Sequence, residues 1–514
     1  MSDPRFTFLR SVTVDDEHTL AELIRGTTIR ILLSRDATKT FAGQVLTYQL
    51  ATLTARLFDR VEICGEDTDL CHPRLTLLSG PFLAELRLLL GKLRPLTPMA
   101  ESSRIVNVVV GEDVQIQGHI FLGATAWGAL FSQTDPQSVS DTTNPIGALT
   151  AGTLGASEVF KHVFGGKLRG AVNVPGYTLS MLDYGEVGVS EPSLPDRIDV
   201  EATLFGSGSI GCGFLLGTLF TPQLHGALTI VDNGCFDTKN PYKYALLDWS
   251  TAQQGPYKAV WTQQQVQRYA PDRLTARAFV GTAESYVASL PHDYTIPLAL
   301  SAVDTPDARL EIQDTLPERI LNAGIDGTLA EVSTHGFGEG PCLACLSMQV
   351  ALEAWNAGPI AARTGLSPAR VHQLIQRNEA MTLQDLDAIR ARHIVSDEYL
   401  SSLDSFLGQP LLSFWNRVAY SEAPVHVGGS SSVLVTTAFV SAFAGILLLA
   451  ELVKASVAEL QKYQVNNSYQ QQLLGIPAKN FFRYERDSRG WCLCHSTYRL
   501  AIYREKYASR ESLI

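Results

Sequence analysis

The run Gly206-Ser-Gly208-Ser-Ile-Gly211-Cys-Gly213 constrains this chain more than any other feature. It follows the apolar stretch ATLF and precedes FLLGTLF, so it reads as a strand, a glycine turn and a helix. Such a turn brings a helix's free N–H groups and positive dipole end to one point, where a phosphate can sit. Asp232 follows Gly211 by about 20 residues, at the end of the strand-like ALTIV, where a carboxylate can accept from ribose hydroxyls. A structural glycine turn would look the same locally; the strand–turn–helix setting favours a nucleotide.

The residues that follow choose among nucleotides. Asn240 and Lys243 lie in VDNGCFDTKNPYKY, and Lys258 opens a helix in GPYKAV. In LALSAVDTPDARLEIQDTL, Asp304 falls at the end of an apolar strand, with Arg309 in the following turn. Two lysines can offset phosphate charge and an aspartate can hold Mg²⁺. A redox dinucleotide needs no such set. A triphosphate does, because charge builds as pyrophosphate leaves.

GSGSIGCG, IVDN, the Asn-x-x-Lys and GxxKA segments and the AVD element together resemble the adenylation domain of ThiF/MoeB-like and ubiquitin-activating enzymes. The resemblance spans about residues 198–345, and more loosely 432–454. It implies that Gly206, Gly208 and Gly211 line the phosphate loop and that Asp232 holds the ribose. Asn240 and Lys243 would take the Asn and Arg places of an SNLxRQ segment. Lys258 would contact the phosphates and Asp304 would serve magnesium, so Lys258, Lys243 and Asp304 are the catalytic candidates. Three departures stand out: Lys243 replaces the arginine and loses bidentate geometry, Tyr244 replaces the following glutamine, and Gly234 replaces the second acid of Asp-x-Asp.

The chain also repeats itself. TTIRILLSRDATKTFAGQVLTYQLATLTARLF, from Thr27, is a second strand–turn–helix opening without the glycines. AGTLGASEVFK (151–161) and AGILLLAELVK (444–454) share Ala-Gly, a glutamate at the eighth position and a lysine at the eleventh. The expected fold is α/β, with two tandem Rossmann-like adenylation units: a degenerate first (1–190) and an active second (198–346 with 431–514). SEPSLPDRID links them. Residues 347–430 form a helical crossover insert, with Ser367 and Thr382 as N-caps. FFRYERDSRGWCLCHSTYRLAIYREKY alternates like strands. By the resemblance, an arginine from the first half can reach the nucleotide; Arg5, Arg10 and Arg25 are candidates by position.

Cys342-x-x-Cys345 and Cys492-x-Cys494 supply four thiolates, which suit a tetrahedral structural Zn²⁺ closing the C-terminal segment. His495 is a possible substitute ligand, and a redox pair or inert thiols are the alternatives. Cys64, Cys71, Cys212 and Cys235 read as buried packing residues. The resemblance implies a thioester cysteine in the crossover region, yet 346–491 holds none. The thiol then belongs elsewhere, or chemistry stops at the acyl-adenylate, or the native residue has been replaced, with Ala419 a position to consider.

Composition limits the partners. With 41 Lys+Arg against 52 Asp+Glu, net −11, the balance argues against a sequence-blind grip on nucleic acid or an anionic membrane, both of which need a basic face, and leaves room for a local basic pocket. The N-terminus shows no apolar signal region, which points to the cytoplasm. The apolar run from Ser432 reads as a buried core helix. The expected function is ATP- and Mg²⁺-dependent adenylation of the C-terminal carboxylate of a ubiquitin-like protein, with transfer to a thiol of its own or of a ubiquitin-conjugating-type enzyme. Bacterial two-half enzymes of antiphage operons are similar. The two halves would pair as an internal pseudo-dimer, with further oligomers open. Sulfur-carrier activation for thiamine or molybdopterin synthesis is the alternative. A non-catalytic scaffold and an NAD-dependent oxidoreductase are the remaining readings.

Overall fold

The computed structural model describes residues 17–71, 77–93, 104–114, 118–168, 171–338, 340–346, 361, 364–376, 379–391, 403–409, 411–414, 437–488, 490 and 492–508. It divides into two units: residues 1–344 with 436–514, and residues 345–435.

The larger unit holds two parallel-rich sheets. The first contains β1 (Thr27–Leu33), β2 (Arg60–Cys64), β3 (Arg104–Val110), β4 (Ile120–Ala124), β5 (Gly128–Ser132) and β6 (Gly176–Ser180), in the order β2-β1-β3-β4-β5-β6. Its first four strands are parallel and the last two antiparallel. The second contains β7 (Ile198–Phe205), β8 (Leu224–Val231), β9 (Leu274–Phe279), β10 (Leu298–Ser301), β11 (Arg319–Asp326), β12 (Leu329–His335), β13 (Ser468–Gln472) and β14 (Phe481–Phe482). Their order is β14-β13-β12-β11-β10-β7-β8-β9, parallel from β9 to β11 and antiparallel beyond. Each sheet begins in its interior and builds to both sides. The order therefore reverses beside β1 and beside β7, and the crevice past the strand ends at such a switch point is where α/β sheets bind ligands.

Four helices are buried almost all round: α1 (Phe41–Ala55), α2 (Ile146–Phe164), α3 (Ser209–Phe220) and α6 (Ala438–Ser456). Between α3 and α6 the chain adds α4 (Lys258–Tyr269) and α5 (Pro306–Asp314), and it ends with α7 (Thr497–Tyr507). Helices apolar on every side belong inside a core. Close approach of α3 and α6 requires glycine. A Cβ on Gly213 would lie 2.9 Å from the Ala442 Cα, and one on Gly445 2.3 Å from the Phe214 nitrogen. Among the described residues, α6 is the one helix long and apolar enough to cross a membrane, and 94% of its apolar window is buried in the protein. It begins at Ala438; the start of the apolar run, like VGGSSS, lies outside the described residues.

The sequence echo is built as one device used twice. On α2, Glu158 and Lys161 pair at 2.6 Å and the Tyr177 hydroxyl donates to Glu158. On α6, Glu451 and Lys454 pair at 2.5 Å and the Tyr184 hydroxyl donates to Glu451. Lys454 also donates to the Met181 and Leu182 carbonyls, which tie the end of the first half to the second. Burial raises the Glu158 pKa and lowers that of Lys454. Such pairs roughly break even in stability and fix register instead.

The smaller unit, described by itself, gathers Leu366, Val371, Leu374, Leu386, Ile389 and Phe406 into a core. Ser367 accepts from the Arg370 N–H at the start of one helix, and Thr382 and Asp385 cap the next reciprocally.

The C-terminal stretch differs from its sequence reading. β14 spans only two residues, and Leu493–His495 and α7 are helical. Alternation gives way because Ser496 caps α7, accepting from the Arg499 N–H, and Tyr503 and Tyr507 fall one turn apart on the face that donates to the Glu318 and Leu316 carbonyls.

Candidate functional site

β7 delivers the chain into the crevice at Phe205 and α3 carries it away. Gly206 has φ +90°, and a Cβ there would sit 2.7 Å from the Ala302 carbonyl oxygen. A Cβ on Gly211 would lie 2.4 Å from the Gly206 carbonyl oxygen, so the tight turn itself demands both glycines. Gly208 differs: a Cβ there would meet only the Tyr244 hydroxyl, at 3.8 Å. Space is open in front of it. Gly208 is also the N-cap of α3 and offers no side chain to the first-turn N–H groups. That is a cradle with donors facing an unfilled volume.

Asp232, just past β8, braces the cradle. Its Oδ2 accepts from the Ser207 N–H and its Oδ1 from the Gly234 N–H, both at 2.7 Å. Each oxygen keeps a lone pair for a further donor. The Lys258 N–H donates to the Gly234 carbonyl, which sets the start of α4, and Lys258 Nζ lies 3.1 Å from where a Gly234 Cβ would stand. A Cβ at 234 would meet only this flexible tip and the Asp232 carboxylate, also at 3.1 Å.

Lys243 is half-buried. Desolvation lowers its pKa; Asp237 and Asp304 oppose that, while Lys239 and Lys258 add to it. Tyr244 is buried beside Asp232, Asp304 and Asp237, and burial raises its hydroxyl's pKa. Lys258 Nζ stands 5.8 Å from the Tyr244 ring centre. Tyr244, which faces Gly208, is thus in electrostatic reach of Asp232, Asp304 and Lys258, and Lys243 of Asp304 and Lys258.

Two placements differ from expectation. Asp304 is not on the strand: β10 ends at Ser301, and Asp304 sits exposed in the turn before Thr305 caps α5. Arg309 lies on α5 rather than in that turn, and its Nη2 donates to the Val303 carbonyl. Asn240 closes on Asp237 in a reciprocal pair at 3.0 and 3.1 Å that shapes the turn carrying Lys243. Two residues here carry no motif. Tyr244, legible only as a departure, supplies the hydroxyl facing Gly208. Arg56, which nothing in the sequence marks, enters from the first half behind residues 241–247.

The first half fills its own crevice. Where β7 enters a glycine loop, β1 enters a short helix, Arg35–Lys39, capped by Ser34. Gly43 is pressed on that turn, its Cβ position 2.1 Å from the Ala37 carbonyl oxygen. Arg25 is exposed on the helix Glu17–Gly26. Arg5, Arg10 and Ala419 lie outside the described residues.

The four cysteines meet. The Sγ atoms of Cys342, Cys345, Cys492 and Cys494 are buried and lie within 4.8 Å of one another, with Cys342 and Cys492 3.4 Å apart. A tetrahedral ion with ~2.3 Å bonds to sulfur separates its ligands by about 3.8 Å, so the set fits Zn²⁺. The Cys492 N–H donates to Asp487 and Arg486 donates to the Cys494 carbonyl, which holds the tight Cys-x-Cys bend. His495 is not part of the cluster. Of the remaining cysteines, Cys212 alone is buried. Cys64 and Cys235 are exposed and Cys71 is half-buried, contrary to the packing expectation: Cys64 ends β2, and Cys71 and Cys235 lie in the segments that follow β2 and β8 rather than within a core element.

Residues 28–174 match the BilD N-terminal domain. Uncharacterized protein y4jF of Sinorhizobium fredii (strain NBRC 101917 / NGR234) is 30% identical over 397 residues, covering 76% of this chain and 75% of that protein. Among solved structures, E. coli MccB is similar over 59% of this chain and 66% of its own, just under two thirds of its length, at 12% identity and a TM-score of 0.32. MccB with succinimide gives 59% and 67% at the same identity and score. By its identity to y4jF across three quarters of both chains, the protein belongs to the y4jF family.

Proposed function

We propose that the protein is an ATP-dependent adenylyltransferase that activates the C-terminal carboxylate of a ubiquitin-like protein. The observation that carries this is the open face of Gly208, with the Tyr244 hydroxyl in front of it and Lys243 in electrostatic reach of Lys258 and Asp304. The match to the BilD N-terminal domain, a component of ubiquitin-like conjugation operons, supports the substrate class.

In this reading the triphosphate lies over the α3 N-terminus, and Asp232 receives ribose hydroxyls on its spare lone pairs. A carboxylate oxygen of the partner's tail attacks the α-phosphorus. The bond to the bridging oxygen breaks, pyrophosphate leaves with the electron pair, and an acyl-adenylate remains. Lys258 and Lys243 offset the charge that builds on the leaving oxygens. Asp304, which is exposed, would hold Mg²⁺, and the ion would supply charge neutralisation on the phosphates. The cysteine cluster holds Zn²⁺ as a structural clasp. A thiol, of a conjugating-type enzyme or of a cysteine outside 346–491, then loses its proton and attacks the acyl carbonyl; the thioester forms and AMP leaves, in the cytoplasm. The absence of cysteine from 346–491 favours the second reading, sulfur-carrier activation.

ATP–pyrophosphate exchange tests this. A ubiquitin-like partner should stimulate exchange, and Lys258→Ala and Asp304→Ala should each lower it by about 100-fold. Intact exchange in both variants refutes the site. Stimulation by a sulfur-carrier protein alone selects the second reading.

A further inference from the structure

Arg56 ends α1 in the first half and is 2% exposed. Its Nη1 donates to the carbonyls of Pro241 and Leu247, the latter at 2.9 Å, and its Nη2 to that of Ala245 at 2.8 Å. A buried guanidinium must recover its lost hydration. Here its two terminal nitrogens recover it from backbone oxygens of one short segment. Burial lowers the Arg56 pKa to about 10, so it remains a cation at neutral pH.

That segment is the one bearing Lys243 and Tyr244. Its anchored carbonyls, 241, 245 and 247, bracket both side chains. Two more bonds fix it. The Leu246 N–H donates to the Cys212 sulfur on α3 at 3.3 Å, and the Trp249 N–H to the Lys92 carbonyl of the first half at 3.0 Å. Residues 241–249 are thus held between the first half and the helix that forms the cradle. The fork geometry matters, because the guanidinium's donors are fixed in one plane on two nitrogens, whereas a lysine's three donors rotate about a single one.

We propose that Arg56 is a positioning residue of the nucleotide site: it works from the half without a phosphate loop, holding the Lys243–Tyr244 segment against Gly208. Its effect on ATP rests on the adenylation reading; its effect on the segment does not.

Hydrogen exchange on the full chain without nucleotide, and calorimetry with Mg·ATP, separate the two. In Arg56→Gln, amides of residues 240–248 should exchange about tenfold faster, while those of β7 and β8 keep their protection. The ATP dissociation constant should rise about tenfold, with Arg56→Lys intermediate in both measurements. If Arg56→Gln loses protection throughout, Arg56→Lys decides. Unchanged exchange at 240–248 overturns the proposal, and so does faster exchange with undiminished ATP affinity. If the native protein binds no ATP, the adenylation reading fails and the exchange data alone judge the brace.

Discussion

Lys243 stands half out of water with a second lysine nearby, and that position has a cost that shows in its titration. Desolvation favours the neutral amine, so its pKa lies below the ordinary 10.5. If the ammonium binds phosphate, ATP affinity should weaken as pH rises, starting below the range of a free lysine. Lys243→Arg, charged throughout, should flatten that dependence in calorimetric titrations across the alkaline range. Equal pH profiles for the two proteins would remove Lys243 from the phosphate contacts. The glycines, Asp232 and Lys258 were legible at this scale because each is required by a local rule of turn, strand end or helix start. Arg56 was not, because its partners lie almost two hundred residues away and are backbone atoms, which leave no trace in side-chain identity. Asp304's place past its strand was misread because Val303 extends the apolar run beyond the last ladder bond.

Elements transmit constraints between these residues. A buried hydrogen-bond chain crosses β10, β11 and β12: Ser301 donates to Asn322, Asn322 to Ser333, Ser333 to His335 Nε2, and His335 Nδ1 to the Pro341 carbonyl. The last step fixes the tautomer, since a carbonyl only accepts. Burial pushes the His335 pKa down from 6.5 to about 4. The unfolded chain therefore binds the proton first as pH falls, and His335 removes up to ~3 kcal/mol of stability between pH 6.5 and 4. His335→Gln should make denaturation midpoints fall less steeply over that window; an unchanged slope would contradict the neutral, buried assignment. At the α3–α6 crossing, Gly445→Val should destabilise by about 3 kcal/mol, read from urea unfolding, because the nearest atoms are backbone. Helix α6 and the paired echoes were readable from sequence since apolar spacing and the Glu–Lys positions repeat. α7 was not, because its aromatic and charged residues alternate over a short span and only the Ser496 cap settles the period.

Across the whole molecule the two sheets share one plan with opposite outcomes at the crevice. One turn is open and glycine-lined; the other is filled by Arg35–Lys39. The cysteine cluster draws residues 342–345 and 492–494 together over a long sequence distance. If it holds zinc, mild chelation should release one equivalent of metal per chain and lower the melting temperature. Cys492→Ser should abolish metal content by mass spectrometry, and metal-free native protein with unchanged stability would leave the thiols as simple core. Sequence spacing located this cluster, whereas the pairing of halves through Arg56 and Lys454 runs to main-chain carbonyls, which no residue identity marks.

The central claim is that the crevice beside Gly208 takes a nucleoside triphosphate. Calorimetric titration of the full chain with Mg·ATP and, separately, with NAD tests it most directly. Binding of ATP at one site, lost in Lys258→Ala, with no heat from NAD, is the predicted result. Binding of NAD instead, or of neither nucleotide, would contradict it.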